Sequence, residues 1–294
     1  RDDVESRGLG DVYKRQSRGG GVLMSKPNKR DKIDLLLKLS IAVMFIVGFL
    51  IFMYPFVVDS INNYVDQQRL EEVQDKMEAR SEAEKKKRLA KLEKENKKLK
   101  TIIPGAGSFE DPFESSLEGT KSPKKEYYEE HMIGAVYIPK INVSLPVYDE
   151  TNDFLLDKGA TVLQGTSFPV GGKGTHSVIT GHTGLPEKKL FTDLELLKKK
   201  DKFFLHIEGK KLAYQVDRIK IVKPDKFDAL KIELNRDLVT LLTCTPYGVN
   251  SHRLLVTGHR IAYPVEAAKK IKETEKYHRR RVYYLIAGLS LIHI

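Results

Sequence analysis

From Leu39 to Val58 the chain runs for about 20 residues without a charged side chain, the length a helix needs to cross the hydrocarbon core of a bilayer. The stretch is too long for the apolar region of a signal peptide, and no small-residue cleavage site follows it. Pro55 lies near its outer end, where a lost backbone hydrogen bond costs least. Lys26, Lys29, Arg30, Lys32 and Lys38 precede it, and Asp59 and Asp66 follow. The excess of positive charge on the first side predicts a cytoplasmic N-terminus and places the rest of the chain outside the membrane. The competing reading is a buried core helix.

The two ends carry less information. Asp11–Gln16 (D-V-Y-K-R-Q) and Ser290–Ile294 (S-L-I-H-I) resemble translated sequencing-adapter read-through. We set both aside, which leaves residues 1–23 as a non-native or disordered tail and Met24 as the expected start. A second apolar run begins at Val282 and stops after about 13 residues, too short to span. It reads as the first part of a second transmembrane helix, covering 282–294. Arg279, Arg280 and Arg281 precede it on the side expected to be outside, against the charge rule. The complete first helix is allowed to decide the orientation.

Past the membrane segment, Asp66–Lys100 is almost entirely Glu, Lys, Arg, Leu and Ala, a helix-forming composition. Leu70, Val73 and Met77 fit one apolar seam, and Leu89, Leu92 and Leu99 fit another. Met77 to Leu89 is not a heptad step, so a long coiled coil is disfavoured and a single exposed helix is expected. Residues 101–131 form a Gly-, Pro- and Ser-rich connector, expected to be mostly loop. The plan is thus a basic flank (24–38), a transmembrane helix (39–58), a charged helical linker (59–100), the connector, a folded region (132–263) and a basic linker (264–281).

The folded region is built from short β-branched and aromatic runs between turn signals. Ala135–Ile138, Ser177–Thr180, Phe203–Ile207, Leu212–Val216, Leu238–Thr243 and Leu254–Thr257 read as strands, and Glu208-Gly209-Lys210 reads as a hairpin turn. Only Asp193–Lys200 and Asp153–Lys158 look helical. Many short strands with few helices indicate a closed or sandwiched β fold. The net charge of +11, from 51 Lys+Arg against 40 Asp+Glu, raises nucleic acid as a partner. In this region the two signs are interspersed, and Lys198–Lys200 has no aromatic companions. It reads as a solvated helix end, so no nucleic-acid site is expected.

One cysteine, Cys244, rules out an intrachain disulfide. By the predicted topology it lies outside the membrane, where an idle thiol is a liability. It ends an apolar run just before Thr245-Pro246-Tyr247-Gly248, a place where a sheet can present a nucleophile. A small buried hydrophobe is the competing reading. A cysteine nucleophile needs a basic or ion-pair partner, most often His. Of the eight histidines, His176, His182, His252 and His259 remain candidates. His182 sits in a Gly-flanked loop directly after a strand, but spacing alone does not choose among the four. No C-x-x-C or H-E-x-x-H occurs, so no metal or other cofactor is expected. Arg253 opens the strand after the Cys244 turn. In a hairpin return it would face Cys244, where a guanidinium could stabilise an oxyanion.

Thr240–Arg260 (T-L-L-T-C-T-P-Y-G-V-N-S-H-R-L-L-V-T-G-H-R) resembles the active-site segment of class C, pilus-building sortases. Ser177–Pro186 (S-V-I-T-G-H-T-G-L-P) and Leu190–Leu194 (L-F-T-D-L) are similar to the family's histidine segment. The resemblance covers about residues 110–262. It implies an eight-stranded β-barrel in which Cys244, His182 and Arg253 are catalytic. Thr183 stands where the family pattern has Arg, and His259 where it has Thr. Asp111-Pro112-Phe113 resembles the family's lid motif, which implies contacts from Asp111 to Arg253 and from Phe113 onto Cys244.

The resemblance further implies a transpeptidase at the outer face of the cell membrane. It would cleave an L-P-x-T-G-like sorting signal between Thr and Gly and join pilin subunits through an acceptor lysine. The partners would be pilin subunits and membrane lipid. Two other readings are a housekeeping sortase that anchors proteins to the cell wall and a non-enzymatic membrane-tethered β domain.

Overall fold

The computed structural model describes residues 29–99, 111–113, 123–185 and 188–292. The readings made above for the first 28 residues, for the connector at 101–110 and 114–122, and for His293 and Ile294 lie outside the described residues. The chain divides into two compact units, Arg1–Met53 and Tyr54–Ile294.

Helix α1 (Lys29–Ala79) begins in the first unit. Phe45, Leu50, Ile51 and Phe52 are exposed there. Among the described residues α1 is the one helix long and apolar enough to cross a membrane.

The second unit is built on a closed barrel of eight strands. They are β1 (Met132–Ile138), β2 (Val143–Tyr148), β3 (Ala160–Val162), β4 (Thr175–Thr180), β5 (Lys202–Ile207), β6 (Lys210–Val222), β7 (Asp237–Thr245) and β8 (His252–Ile261). Their order around the barrel is β1-β2-β3-β4-β7-β8-β6-β5, closed by β5 on β1. The pairs β2·β3 and β4·β7 are parallel and the others antiparallel. Glu208 and Gly209 make the β5–β6 turn with positive φ at both positions, which matches the right-handed twist of a tight hairpin.

Side chains alternate between two apolar environments. Val136, Ile138, Ile179, Phe203, Leu205, Tyr214, Val239, Leu241 and Val256 belong to the main core. On the other face of β1 and β5, Ala135, Tyr137 and Phe204 meet Leu70, Val73 and Met77 of α1, together with Ala267 and Ile271 of α5 (Ala267–Ile292). Strand β1 is buried at every position for that reason, so it reads as a continuous apolar run rather than an alternating one.

The expected single exposed helix over 66–100 is corrected. The chain breaks at Arg80 and Ser81 into α1 and α2 (Glu82–Leu99). Each helix keeps its own apolar seam on the barrel, and the mismatch between the seams marks the break. Leu92 is buried in the main core, and Asn96 donates to the Phe168 carbonyl and accepts from its N–H. Glu208, with its side chain 1% exposed, joins Arg80, in the break, to Arg88 of α2.

Three further expectations change. The connector contains a short helix, α3 (Lys125–His131). Residues 264–281, expected as a linker, form most of α5, whose Arg279 pairs with Glu71 at 2.5 Å. The helix expected at Asp193–Lys200 is a 3₁₀ turn over Thr192–Leu196, whereas α4 (Asp153–Leu156) lies where a helix was read.

Candidate active site

Strands β4 and β7 are parallel neighbours, so their C-terminal ends emerge at the same pole of the barrel. The Gly181 N–H donates to the Leu242 carbonyl at 3.1 Å, and Thr243 Oγ1 donates to the Gly181 carbonyl at 2.7 Å. These two bonds fix the loop carrying His182 against the strand end carrying Cys244. Gly181 has a packing reason to be glycine: a Cβ there would lie 2.8 Å from the Phe191 ring. Strand β8 returns antiparallel to β7, and the register sets Arg253 directly opposite Cys244. The hairpin expectation for Arg253 is therefore met.

Of the other three candidate histidines, two are placed elsewhere and one lies at this pole with its ring engaged. His176, near the start of β4, is buried, with its ring nitrogens 2.9 Å from the Lys231 carbonyl and 2.7 Å from Thr240 Oγ1. His259 lies near the end of β8, beside Asp217 at 3.3 Å. His252 adjoins Arg253, but its Nδ1 is engaged by Ser251 Oγ at 2.9 Å. His206 hydrogen-bonds Tyr263 at 2.9 Å.

Residues 111–113 lie over this pole. Asp111 forks onto Arg253, with Nε donating to Oδ1 at 3.1 Å and Nη2 donating to Oδ2. Both side chains are almost fully buried. Arg253 Nη1 donates to the carbonyls of Asn250 and His252 at 2.8 and 3.0 Å. Charge-assisted paired bonds of this kind are among the stronger side-chain interactions. Pro112 is buried. The Phe113 ring lies 5.3 Å from the Arg253 guanidinium carbon and 5.4 Å from the centre of the His182 ring. It also packs against the apolar cluster of Leu163, Val178, Leu230, Leu242 and Leu255. The implied Asp111 contact is present. The ring contacts of Phe113 are with Arg253, the residue opposite Cys244, and with His182.

The electrostatics follow from burial. Cys244 is 7% exposed. Burial pushes its thiol up to about 11; Arg253 opposes this and Asp111 adds to it. Burial also lowers the His182 pKa, while Asp157 and Asp153 act to raise it. Asp157 Oδ1 stands 3.8 Å from His182 Nε2. Sequence reading missed this carboxylate. The available signal was a pair of aspartates four residues apart on a short helical stretch. Among the described residues no group of three His, Cys, Asp or Glu side chains could hold a metal ion.

Residues 136–261 match the Sortase domain family. Sortase A of Bacillus anthracis is 29% identical over 161 residues, spanning 55% of this chain and 72% of that protein. The solved structure of sortase C-1 from Streptococcus pneumoniae is 42% identical, with a TM-score of 0.57, covering 67% of this chain and 100% of that one. Sortase C of Clostridium perfringens, solved with a C-terminal cell wall sorting motif, is 41% identical with a TM-score of 0.55. It covers 67% of this chain and 99% of that one. With its closed eight-stranded barrel and a cysteine at the end of β7, the chain belongs to the sortase family of cysteine transpeptidases, with class C sortases among its structural neighbours.

Proposed function

We propose that this sortase polymerises pilin subunits at the outer face of the membrane. Cys244, as thiolate, attacks the Thr carbonyl of an L-P-x-T-G-like sorting signal. Arg253 stabilises the oxyanion, and His182 protonates the departing Gly amine. The lysine amine of a second subunit then displaces Cys244, leaving an isopeptide bond. Asp111, Pro112 and Phe113 form a lid that substrate must displace, so apparent affinity falls by the fraction of open molecules.

The observation that carries this reading is the Asp111–Arg253 fork with Phe113 packed beside it. It occupies the guanidinium that would face a tetrahedral intermediate. The pilus-related relatives support the pilin substrate. Charge on either side of the apolar part of α1 supports the outward orientation.

Incubation of the full-length enzyme with a purified pilin subunit tests the reading. A covalent high-mass ladder is expected, and it disappears with Cys244→Ala. A second reading, wall anchoring, draws on the sortase A relatives. It gives one product per substrate with a wall-peptide amine and no ladder. A β domain exposed to protease on the inner side of sealed vesicles would refute the orientation.

A further inference from the structure

We propose that Asp157 is the positioning residue for His182: its carboxylate, 3.8 Å from Nε2, holds a proton on that nitrogen and leaves Nδ1 to exchange protons with the reacting groups. The inference rests on His182 acting as the acid of the transpeptidation.

The chemistry creates a need for such a group. A general acid must be protonated when the leaving amine forms, and burial of the imidazole works against that. His182 is 23% exposed at its side chain. The groups around it can be named by element. The lid contributes the uncharged Phe113 ring. The loop after β4 contributes Phe191, whose N–H donates to the His182 carbonyl at 3.0 Å. Strand β7 contributes Thr243, whose Oγ1 donates to the carbonyl of Gly181, the residue before His182. Helix α4 and its C-cap contribute Asp153 and Asp157, the two charges that act on the ring. Lys158, next along the chain, is half-buried, and burial lowers the pKa of its ammonium. Asp157 follows a helix whose own N-cap is satisfied, with Asn152 Oδ1 accepting from the Leu155 N–H at 3.1 Å. Leu155 and Leu156 are fully buried, so the short helix is fixed to the barrel while the Asp157 carboxylate remains at the rim.

The proton count then closes. In acylation the bond from Cys244 Sγ to the Thr carbonyl carbon forms and the Thr–Gly C–N bond breaks. The His182 Nδ1 proton passes to the Gly nitrogen, and the Nε2 proton stays facing Asp157. In resolution the acceptor amine attacks the thioester and returns a proton to Nδ1. The new C–N bond forms and the thiolate leaves. A carboxylate on Nε2 selects the tautomer that can repeat the cycle, the logic of a base oriented by a third group.

The test uses the full chain in detergent, with ¹³C-labelled histidine. The His182 resonance is identified by its absence in His182→Gln. Asp157→Asn is expected to lower its titration midpoint by about half to one pH unit, a three- to tenfold loss of imidazolium at fixed pH. With a sorting-signal peptide and an amine acceptor, kcat should fall by the same factor at unchanged KM, and Asp157→Glu should restore most of it. An unchanged midpoint in Asp157→Asn overturns the proposal. A shifted midpoint with unchanged kcat upholds the contact and overturns the acid role of His182. Asp157 is 61% exposed at its side chain, so Asp157→Asn is expected to melt with the parent.

Discussion

The barrel is covered in two ways. Over β1 and β5 the cover is α1 and α5, whose Leu70, Val73, Met77, Ala267 and Ile271 lie in a continuous apolar layer. Over the pole carrying Cys244 the cover is residues 111–113, held by one ion pair and one ring. Apolar burial accumulates with area and has no exchange partner in water. A buried ion pair gains little net stability, because both ions lose solvation. A cover of the second kind can be displaced by a ligand that offers the arginine another anion, such as an oxyanion. The helical layer also carries ion pairs, the most buried carboxylate among them at its corner, where Glu208 receives Arg80 and Arg88. That corner joins two helices and does not lie over a reactive group.

The largest expected effect falls on the chemistry beneath the lid. Arg253→Ala should lower kcat/KM on a sorting-signal peptide by roughly 10²–10³, the cost of a lost oxyanion donor. His182→Ala should lower it by about 10²–10⁴. Both should leave the thermal midpoint within a few degrees of the parent. Near-parent turnover in either variant would remove that residue from the mechanism and leave the fold untouched.

The helical cover should respond in the opposite sense. Leu70 is 3% exposed in the α1 seam. Leu70→Ala should destabilise by about 2–4 kcal/mol through lost burial and the cavity left behind, read from denaturant midpoints. The alkylation rate of Cys244 in the folded protein should not change. A faster alkylation in Leu70→Ala would show that the two covers are coupled, and the comparison would fail.

How much of this the sequence discloses depends on the range of the contacts. Strands β5 and β6 are joined by a two-residue turn, and the local pattern reveals them. Strand β2 contains Pro146 and β3 has three residues, so neither carries enough alternation to be read. The break between α1 and α2 is visible as a phase error between Met77 and Leu89, but the error does not say that both seams bury. At the site, Cys244 and Arg253 lie on one hairpin and are legible together. The loop carrying His182 is brought to the strand end carrying Cys244 through parallel pairing of β4 with β7, 62 residues apart at the Gly181–Thr243 bond. No spacing rule encodes that, and only the family resemblance singled it out. Asp157 is set by the end of α4 and its place on the barrel, neither of which a pattern of residue types specifies.

The lid gives the third test. Asp111→Ala and Phe113→Ala should each raise the rate at which a small thiol reagent modifies Cys244 by about 5- to 150-fold, the scale of typical coupling energies. The pH dependence sharpens this. The parent thiol is pushed up to about 11, so the thiolate fraction and the alkylation rate should rise roughly tenfold per pH unit up to that point. Asp111 raises the thiol pKa and Arg253 lowers it. Removing Asp111 should therefore bring the midpoint down, and the gain over the parent should be largest below the new midpoint and shrink toward pH 11. Equal rates at every pH would discard the lid and keep the catalytic assignments.

The smallest expected effect concerns charges on the helical cover. Lys76 and Lys125 both reach Glu72 and Glu129, with separations of 2.8 to 3.5 Å. The pairs lower the Glu72 pKa and raise that of Lys125. These side chains are largely in water, where ordering two long chains offsets most of the attraction and salt screens the rest. Glu72→Gln should leave the denaturant midpoint unchanged within error, in low and in high salt. Asp111→Ala removes a single carboxylate as well, yet it should alter the chemistry of Cys244 because its partner guanidinium is buried. If Glu72→Gln destabilised the fold by an amount that vanished in high salt, the helical cover would also depend on charge. The contrast between an apolar cover and an ionic one would then reduce to a difference in area alone.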